Sequence, residues 1–478
     1  MTTRLIGPFN RVEGDLEVRL EVEDGRISAA YVNSTLYRGF EPMLAGKAPA
    51  DALVIVPRIC GICSVAQSTA AAAALRELSG LTLSDNGRLA LNLVSACENL
   101  ADHLSHFYLF FMPDFARDAY ATRPWFERVA QRFKATSGTA TADVLPARAA
   151  FMHLMGIMAG KWPHTLSLQP GGTAKPLEQA ECLQLTTLLR AFRRFLELHV
   201  FDDSLESVAG LASLPDLTEW RKNRHGDLAI FLEVAEDLGL EKAGRATDVF
   251  LSYGAYEEDD GHLFASGLWQ GGQAHPLEPG AIVEDLSHAW LAGDARTPAQ
   301  GQTLPLPDKP GAYTWCKAPR YSGCVAETGA LARQMVAGHP VIRELVRTHG
   351  GSVTARVLAR LLELALVLPR MEAWARQLEP KAPWCHHARL PDEGTAKGLV
   401  EAARGALGHW LVVKHGRIAN YQIIAPTTWN FSPRDHQGTP GALEQALAGL
   451  PAPETEDPPL LVQHVVRSFD PCMVCTVH

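Results

Sequence analysis

Several features that would reveal an exported or membrane-bound protein are missing from this sequence. No segment approaches the roughly 18 consecutive apolar residues of a membrane helix. Residues 1–8 lack the charged segment followed by an apolar stretch that marks a secretion signal. The nine cysteines are few for 478 residues and odd in number, unlike a secreted disulfide framework. We therefore expect a cytoplasmic protein without a membrane span.

Basic residues are not in excess either. The chain has 44 Lys and Arg against 53 Asp and Glu, which gives a formal net charge of -9. Because nucleic acids attract clustered positive charge, this balance argues against a nucleic-acid partner. Hydrophobic residues make up 47% and charged residues 20%, as in ordinary packed proteins. Without an internal repeat or a long low-complexity linker, residues 1–478 are predicted to form a single domain.

What the sequence does contain is mostly helical periodicity. Apolar residues recur at steps of three and four between positions 93 and 111, after a candidate N-cap at 85–86. Two more amphipathic helices are predicted at 183–201 and 353–368, and Pro369 should kink or end the second. We expect these helices to form one bundle.

Short strands are predicted near both ends of the chain. Residues 16–23 and 27–32 flank Asp24-Gly25, which is a hairpin signal, and residues 410–413 and 418–424 repeat the arrangement. A small strand region assembled from both ends is expected. The predicted class is therefore mainly α with small antiparallel β regions near both termini (α+β).

Two Cys-x-x-Cys pairs carry the strongest chemical signal, Cys60/Cys63 and Cys472/Cys475. Thiolates bind zinc, copper(I), iron-sulfur clusters and other soft centres, so the ligands alone leave the metal open. Zinc ribbons place their pairs about 15–20 residues apart, whereas these pairs lie roughly 400 residues apart, which disfavours a local zinc site. The four thiolates can share a metal only if the fold joins both ends of the chain.

The sequences around these pairs resemble the large subunit of a [NiFe]-hydrogenase. The first pair stands in Arg58-Ile-Cys-Gly-Ile-Cys63 and the second in Asp470-Pro-Cys-Met-Val-Cys-Thr-Val-His478. Other segments match in the family's order along the whole chain. They are Arg11-Val-Glu-Gly14, Arg38-Gly-Phe-Glu41, Asp102-His103, Pro170-Gly-Gly172, Lys317-Ala-Pro-Arg320, Glu401-Ala-Ala-Arg-Gly405 and Asn420-Tyr-Gln422.

The resemblance implies a [NiFe]-hydrogenase fold and an H2:acceptor oxidoreductase that cleaves dihydrogen heterolytically. By it, Cys60, Cys63, Cys472 and Cys475 hold nickel, and Cys63 and Cys475 also bridge to an iron that carries one CO and two cyanide ligands. These thiolates make a Ni-Fe(CN)2(CO) centre the expected cofactor.

The same resemblance implies roles for residues around the metal. Glu13 is expected to relay protons from a terminal thiolate, for which we take Cys475. Arg404 is expected to lie over the open metal position and contact a cyanide, a task suited to its fixed charge and fork of donors. Asp102 and Asp470 match carboxylates that surround this place.

A second metal is implied near the C-terminus. Glu41 and His478 match ligands of a Mg2+ ion, with the carbonyl of Ile423 as a third. Glutamate and carbonyl oxygens suit such a hard cation, whereas a histidine nitrogen is a less usual ligand, so the identity of this metal stays open.

Five positions depart from the pattern common in the family. Gln67 and Asp15 replace histidines near the thiolates, and Ala403 replaces a proline beside the cyanide pocket. Ile62 and Phe110 stand where fast enzymes carry Val and Leu, so they would narrow a gas channel. The regulatory, H2-sensing branch has the combination of Ile62 and Phe110, and Gln67 and Asp15 also favour it, which implies a slow and oxygen-tolerant hydrogenase.

The remaining cysteines show no paired metal spacing and are interpreted as core residues: Cys97, Cys182, Cys316, Cys324 and Cys385. An iron-sulfur relay is therefore expected in a separate small subunit, and a histidine kinase would read the redox state of a sensor. Two alternatives stay open, namely an uptake hydrogenase that feeds a respiratory chain and, more remotely, a structural zinc protein with four cysteine ligands.

Overall fold

A computed structural model describes residues 2–476 and 478. The helices are α1 (Phe40–Leu44), α2 (Ala52–Ile55), α3 (Ser64–Ser79), α4 (Asp85–Ser105), α5 (Phe126–Phe133), α6 (Thr139–Ala159), α7 (Gln179–Phe195), α8 (Leu205–Ala209), α9 (Leu214–Lys222), α10 (Asp227–Leu238), α11 (Ala330–Ala337), α12 (Pro340–His349), α13 (Val353–Gln377), α14 (Pro426–Asn430), α15 (Ala442–Leu447), α16 (Leu460–Ser468) and α17 (Met473–Thr476). The strands are β1 (Thr2–Ile6), β2 (Leu16–Glu23), β3 (Arg26–Ser34), β4 (Leu168–Gln169), β5 (Gly172–Thr173), β6 (Phe250–Glu258), β7 (Gly261–Gln270), β8 (Gln273–His275), β9 (Ile282–Asp285), β10 (Ala318–Tyr321), β11 (Gly394–Ala402), β12 (Gly405–Lys414) and β13 (Arg417–Ile424).

The long helices form a bundle, which confirms the predicted class. Helices α4, α6, α7 and α13 pack against one another, and one buried apolar cluster includes residues from Ile6 to Met473. The cap of α4 lies one residue earlier than predicted, because the Ser84 hydroxyl accepts the Gly87 N–H at 3.2 Å. A π-helical turn, His106–Phe111, then continues α4. Among the described residues, no helix has both the length and the apolar character to cross a bilayer.

Helix α13 does not end at Pro369. It continues to Gln377, with Leu368, Met371 and Trp374 buried. A proline removes one backbone hydrogen bond from a helix, and burial of the apolar side chains on both sides offsets that loss. Of the two outcomes predicted at Pro369, a kink or an end, the end is therefore wrong.

The strands form five small sheets, and neighbouring strands within each sheet are antiparallel. The two predicted hairpins lie in separate sheets, β1-β2-β3 and β11-β12-β13, so the expected single strand region is wrong. A third sheet, β6-β7-β8, was not predicted. Its signal was present in the sequence, since Asp260-Gly261 separates two extended runs as a hairpin turn does.

The two ends of the chain nevertheless meet. Ile27 donates its N–H to the Leu450 carbonyl at 3.0 Å. Closer to the second cysteine pair, Glu13 forms a parallel bridge with Cys472. These contacts tie the N-terminal segment to the last helices and bring Glu13 to the second Cys-x-x-Cys pair.

Candidate metal centre

Four buried sulfurs converge where the ends of the chain meet. The Sγ atoms of Cys60, Cys63, Cys472 and Cys475 all lie within 4.8 Å of one another. The Cys63–Cys475 distance is 3.1 Å, Cys60–Cys472 is 3.6 Å and Cys472–Cys475 is 2.9 Å. These distances exceed a disulfide bond of about 2.05 Å, so the four cysteines are free. Such a set fits a soft metal centre.

Each pair is held by buried polar contacts. Helix α3 begins directly after Cys63, and the Glu98 carboxylate accepts the N–H groups of Val65 and Ala66 at 2.9 and 3.0 Å. The Trp162 indole donates to the same carboxylate at 2.9 Å. Glu98 therefore caps α3 from outside the helix and fixes the backbone that follows the first pair.

The second pair is fixed through its backbone. Cys472 donates its N–H to the Thr427 hydroxyl at 3.0 Å. Met473 donates to the Glu13 carbonyl at 2.7 Å, and Glu13 donates to the Pro471 carbonyl at 3.3 Å. The N-terminal segment that carries Glu13 therefore frames the second pair directly.

Arg404 lies in the two-residue turn between β11 and β12, and it is buried with two carboxylates. Its Nη2 donates to Asp102 at 3.1 Å and to Asp470 at 3.2 Å, and its Nε donates to the Asp470 carbonyl at 2.8 Å. Gly405 permits this turn, because a Cβ there would lie 2.4 Å from the Gly329 nitrogen. The structure thus brings together the three charged residues predicted around the cysteines.

This triad leaves buried polar atoms without a protein partner. Within residues 2–476 and 478, Nη1 of Arg404 and one oxygen each of Asp102 and Asp470 make no hydrogen bond. Burial raises the pKa of Asp102. Burial acts in the same direction on Asp470, but the charges of Arg404, His106 and Arg360 lower its pKa to about 2. A free guanidinium donor of this kind fits an acceptor ligand such as a metal-bound cyanide.

Sequence reasoning missed the support beneath Arg404. Arg333 donates to the carbonyls of Ala402 and Ala403 at 2.8 and 3.1 Å, and it pairs with Glu363 and Glu401. Ala403, which replaces the family's proline, is thus held through its carbonyl by Arg333. A signal was available, since charged residues inside strongly apolar helices such as α11 and α13 are rarely buried without a partner.

Glu13 is half-buried between the cysteines and the surface. Burial and the charge of Cys60 raise the pKa of Glu13, whereas Arg404 and Arg38 lower it. Its backbone pairs with Cys472. These neighbours place Glu13 beside Cys60 and Cys472, and its expected relay of protons from Cys475 stays a prediction.

Gln67 and Asp15 have surroundings that differ from those expected. The buried Gln67 oxygen lies 2.8 Å from Nε2 of His409, whose other ring nitrogen lies 2.8 Å from the Tyr421 hydroxyl. Asp15 is exposed. In the part of the chain that the structure describes, neither side chain hydrogen-bonds to a cysteine sulfur: Gln67 Oε1 contacts His409, Gln67 Nε2 is buried without a partner, and Asp15 is exposed.

Ile62 and Phe110 are both half-buried. Ile62 packs on the apolar cluster that includes the four cysteines. Phe110 lies on the π-helical turn that follows α4, next to the buried Phe111. The predicted role of these two side chains in a gas channel stays a prediction.

The residues predicted to bind Mg2+ form a buried polar cluster. Nε2 of His478 lies 3.2 Å from Glu41, and Lys317 donates to both Glu41 oxygens at 3.0 and 2.9 Å. Ile423 donates its N–H to Glu41 at 2.8 Å, and the expected role of its carbonyl as a metal ligand stays a prediction. One Glu284 oxygen is buried nearby without a hydrogen bond among the described residues. The donors suit a hard cation, whose identity the side chains leave open.

Comparison with known proteins gives consistent matches over the full chain. The family model described as nickel-dependent hydrogenase matches residues 38–132 and 139–478. The chain is 29% identical to the large subunit of a periplasmic [NiFeSe] hydrogenase from Desulfomicrobium baculatum, over 99% of this chain and 94% of that one. It is 26% identical to the hydrogenase-2 large chain of Escherichia coli K12, over 99% and 96%. A solved Dm. baculatum [NiFeSe]-hydrogenase superposes with a TM-score of 0.87 at 28% identity, covering both chains fully.

Proposed function

Because this chain belongs to the nickel-dependent hydrogenase family as a large subunit, we propose that it cleaves dihydrogen at a nickel-iron centre and acts as an H2 sensor. The observation that carries the catalytic part is the convergence of four free cysteine sulfurs within 4.8 Å beside the unpaired Nη1 of Arg404. A zinc ribbon would use the same sulfurs, but it gives no reason for a buried arginine with a free donor.

The residues around the proposed metal centre would have different roles. Cys60, Cys63, Cys472 and Cys475 would hold nickel, with Cys63 and Cys475 shared with an Fe(CN)2(CO) group, and Arg404 Nη1 would donate to a cyanide. When bound, the nickel-iron centre supplies the Lewis acidity and redox chemistry that split dihydrogen heterolytically. Asp102 and Asp470 hold the Arg404 guanidinium in place, and burial keeps water away.

Glu13 would carry the proton outward. It is half-buried, its backbone adjoins Cys472, and Asp15 two residues away is exposed. A proton on the sulfur of Cys60 or Cys472 would pass to the Glu13 carboxylate and then to solvent, because a carboxylate positioned between thiolate and water suits general acid-base transfer.

Electrons need a route through another protein. Among the described residues, the four-cysteine cluster is the one group of three or more potential ligands close enough to bind a metal. We therefore propose a small subunit with iron-sulfur clusters as the partner, and we place the complex in the cytoplasm, where the nine free cysteines would stay reduced. Mg2+ at Glu41 and His478 is part of the same proposal.

The proposed sensing role rests on Ile62, Phe110, Gln67 and Asp15. It implies slow turnover, oxygen tolerance and a histidine kinase that responds to the redox state of the centre. Matches such as the uptake hydrogenase large subunit of Rhodobacter capsulatus, 26% identical, favour an uptake role as the second candidate. Deleting the gene separates the two. In cells whose other hydrogenases are expressed constitutively, a sensor's loss abolishes H2-responsive gene expression and leaves H2 uptake unchanged, whereas an uptake enzyme's loss lowers H2 consumption directly.

Infrared spectroscopy and metal analysis of the purified large and small subunits test the centre itself. We expect equal amounts of nickel and large subunit, one CO band and two cyanide bands that shift under H2. Zinc without these bands would overturn the proposal. Magnesium analysis of the same sample, before and after Glu41→Gln, tests the second metal.

A further inference from the structure

A cavity beside α3 has polar walls that the hydrogenase chemistry does not use. It has a volume of about 90 Å3 and lies between α3, α4, β6, β7 and β11. That is several times the roughly 10–15 Å3 that one water molecule needs by this measure. We call it the Arg76 cavity, and its polar lining includes Arg76, Ser95, His262, Tyr256, Glu257 and Glu401.

Three of these side chains have free hydrogen-bonding groups. Arg76 comes from the end of α3, Ser95 from α4 and His262 from β7. Across residues 2–476 and 478, the structure gives none of the three a side-chain hydrogen bond or ion pair. Donors from three separate elements thus converge on one space. The Arg76 guanidinium has no acceptor among the described residues and is reached by solvent, so an oxyanion in the cavity would gain charge-assisted hydrogen bonds from it.

The neighbouring carboxylates do not accept hydrogen bonds from Arg76, Ser95 or His262. Glu401 is engaged by Arg333 at 2.7 Å and by the Tyr253 N–H at 2.7 Å. Glu257 is exposed at the rim, where its charge attracts Arg76 without a hydrogen bond. Arg88, also at the rim, adds a positive charge that is already paired with Asp259 at 2.7 Å.

Gly254 makes room for His262 at the rim of the cavity. A Cβ on Gly254 would lie 3.2 Å from the His262 ring, so the absence of a side chain at 254 leaves room for the imidazole. Gly254 also has a φ of +90°, which disfavours other residues. Burial lowers the pKa of Arg76, and burial together with the Arg76 charge lowers the pKa of His262. An anion between the two would relieve both effects.

We propose that the Arg76 cavity binds a small oxyanion, a phosphate or a carboxylate, through the Arg76 guanidinium, the Ser95 hydroxyl and the His262 ring. This site is separate from the metal centre and does not depend on the proposed function. It is placed to influence that centre, because α3 begins directly after Cys63 and Glu401 lies three residues before Arg404.

Titration calorimetry on the intact large and small subunit complex tests the site. Sodium phosphate and sodium acetate are titrated separately, in chloride buffer of matched ionic strength. We expect saturable binding of at least one of them, and the tighter of the two tells whether the natural ligand carries a phosphate or a carboxylate. Binding of neither anion would overturn the proposal.

Variants then locate the binding. Arg76→Gln should weaken the affinity at least about tenfold, since charge-assisted hydrogen bonds are lost. Arg347→Gln is the matched control, because Arg347 is exposed on α12 and does not line the cavity. Should Arg76→Gln fail to fold, His262→Asn, at the exposed rim, replaces it. Affinity unchanged in both His262→Asn and Ser95→Ala would contradict the assignment, as would equal losses in Arg347→Gln.

Discussion

Arg404 holds Asp470 at two points, through Nε to the backbone carbonyl at 2.8 Å and through Nη2 to the carboxylate at 3.2 Å. Asp470 stands two residues before Cys472 in the sequence. The arginine of one hairpin turn therefore fixes the approach to the second cysteine pair, and its remaining nitrogen is left free for a ligand.

Replacing Arg404 with lysine keeps the positive charge and removes the several N–H donors of the planar guanidinium. A single ammonium cannot reach the Asp470 carbonyl, both carboxylates and a cyanide at once. We expect H/D exchange to fall about 100-fold or more with nickel retained, because loss of one preorganised donor commonly costs that much. The cyanide bands should also shift. Arg370→Lys on the surface of α13 is the control, and exchange near the wild-type rate in Arg404→Lys would refute the role.

Glu13→Gln should stop proton transfer and leave the metal centre intact. The amide has nearly the same shape but cannot take up a proton at neutral pH. We expect H/D exchange to be lost while the CO and cyanide bands keep their positions. Glu23→Gln, an exposed glutamate on β2, should exchange normally. If the Glu13 variant exchanges as fast as the wild type, another group carries the proton.

Ile62→Val combined with Phe110→Leu should make the enzyme sensitive to oxygen. Smaller side chains widen a gas route, if these residues form its wall. Removing one methylene from Ile62 should cost only about 0.5–1.5 kcal/mol of stability, so the fold should persist. Activity is measured before and after exposure to air. Ile55→Val, in the same apolar cluster, controls for loosened packing, and full activity of the double variant after air would refute the channel.

Glu444 gives a pH test of stability away from the metal. Burial raises the pKa of Glu444 to about 7. A raised folded pKa stabilises the protein below the unfolded value of about 4.3, and this contribution is lost as pH rises through about 7. Each pKa unit is worth about 1.4 kcal/mol, so a shift from about 4.3 to about 7 sets an upper limit of roughly 4 kcal/mol.

Glu444→Gln should therefore gain thermal stability relative to the wild type as pH rises from 5 to 8. The glutamine remains neutral, although it loses one acceptor for Val32 N–H or Gly441 N–H. The measurement is the difference in melting temperature at each pH. Glu454→Gln, on the surface, should show a constant difference. Parallel curves for Glu444→Gln would mean that Glu444 is ionised throughout.

The helical bundle followed from the sequence because its signal is local. Spacings of three and four residues place apolar side chains on one face, and α4, α7 and α13 lie where that rule put them. Errors arose where packing outweighs local preference. Pro369 stays within α13 because the helix is buried on both sides, and β6-β7-β8 was missed although a turn signal marked it.

The motifs around Cys60, Cys63, Cys472 and Cys475 determined the family by themselves, since residue type and order are written in the chain. Which atoms meet was decided only by the tertiary structure. It placed Glu13 beside Cys60 and Cys472 and brought Gln67 within hydrogen-bonding distance of His409. It also placed Arg333 against the turn that carries Arg404 and formed the Arg76 cavity. Each of these depends on contacts between segments that are far apart in the chain, and such distances are set by the packing of the whole protein rather than by local sequence.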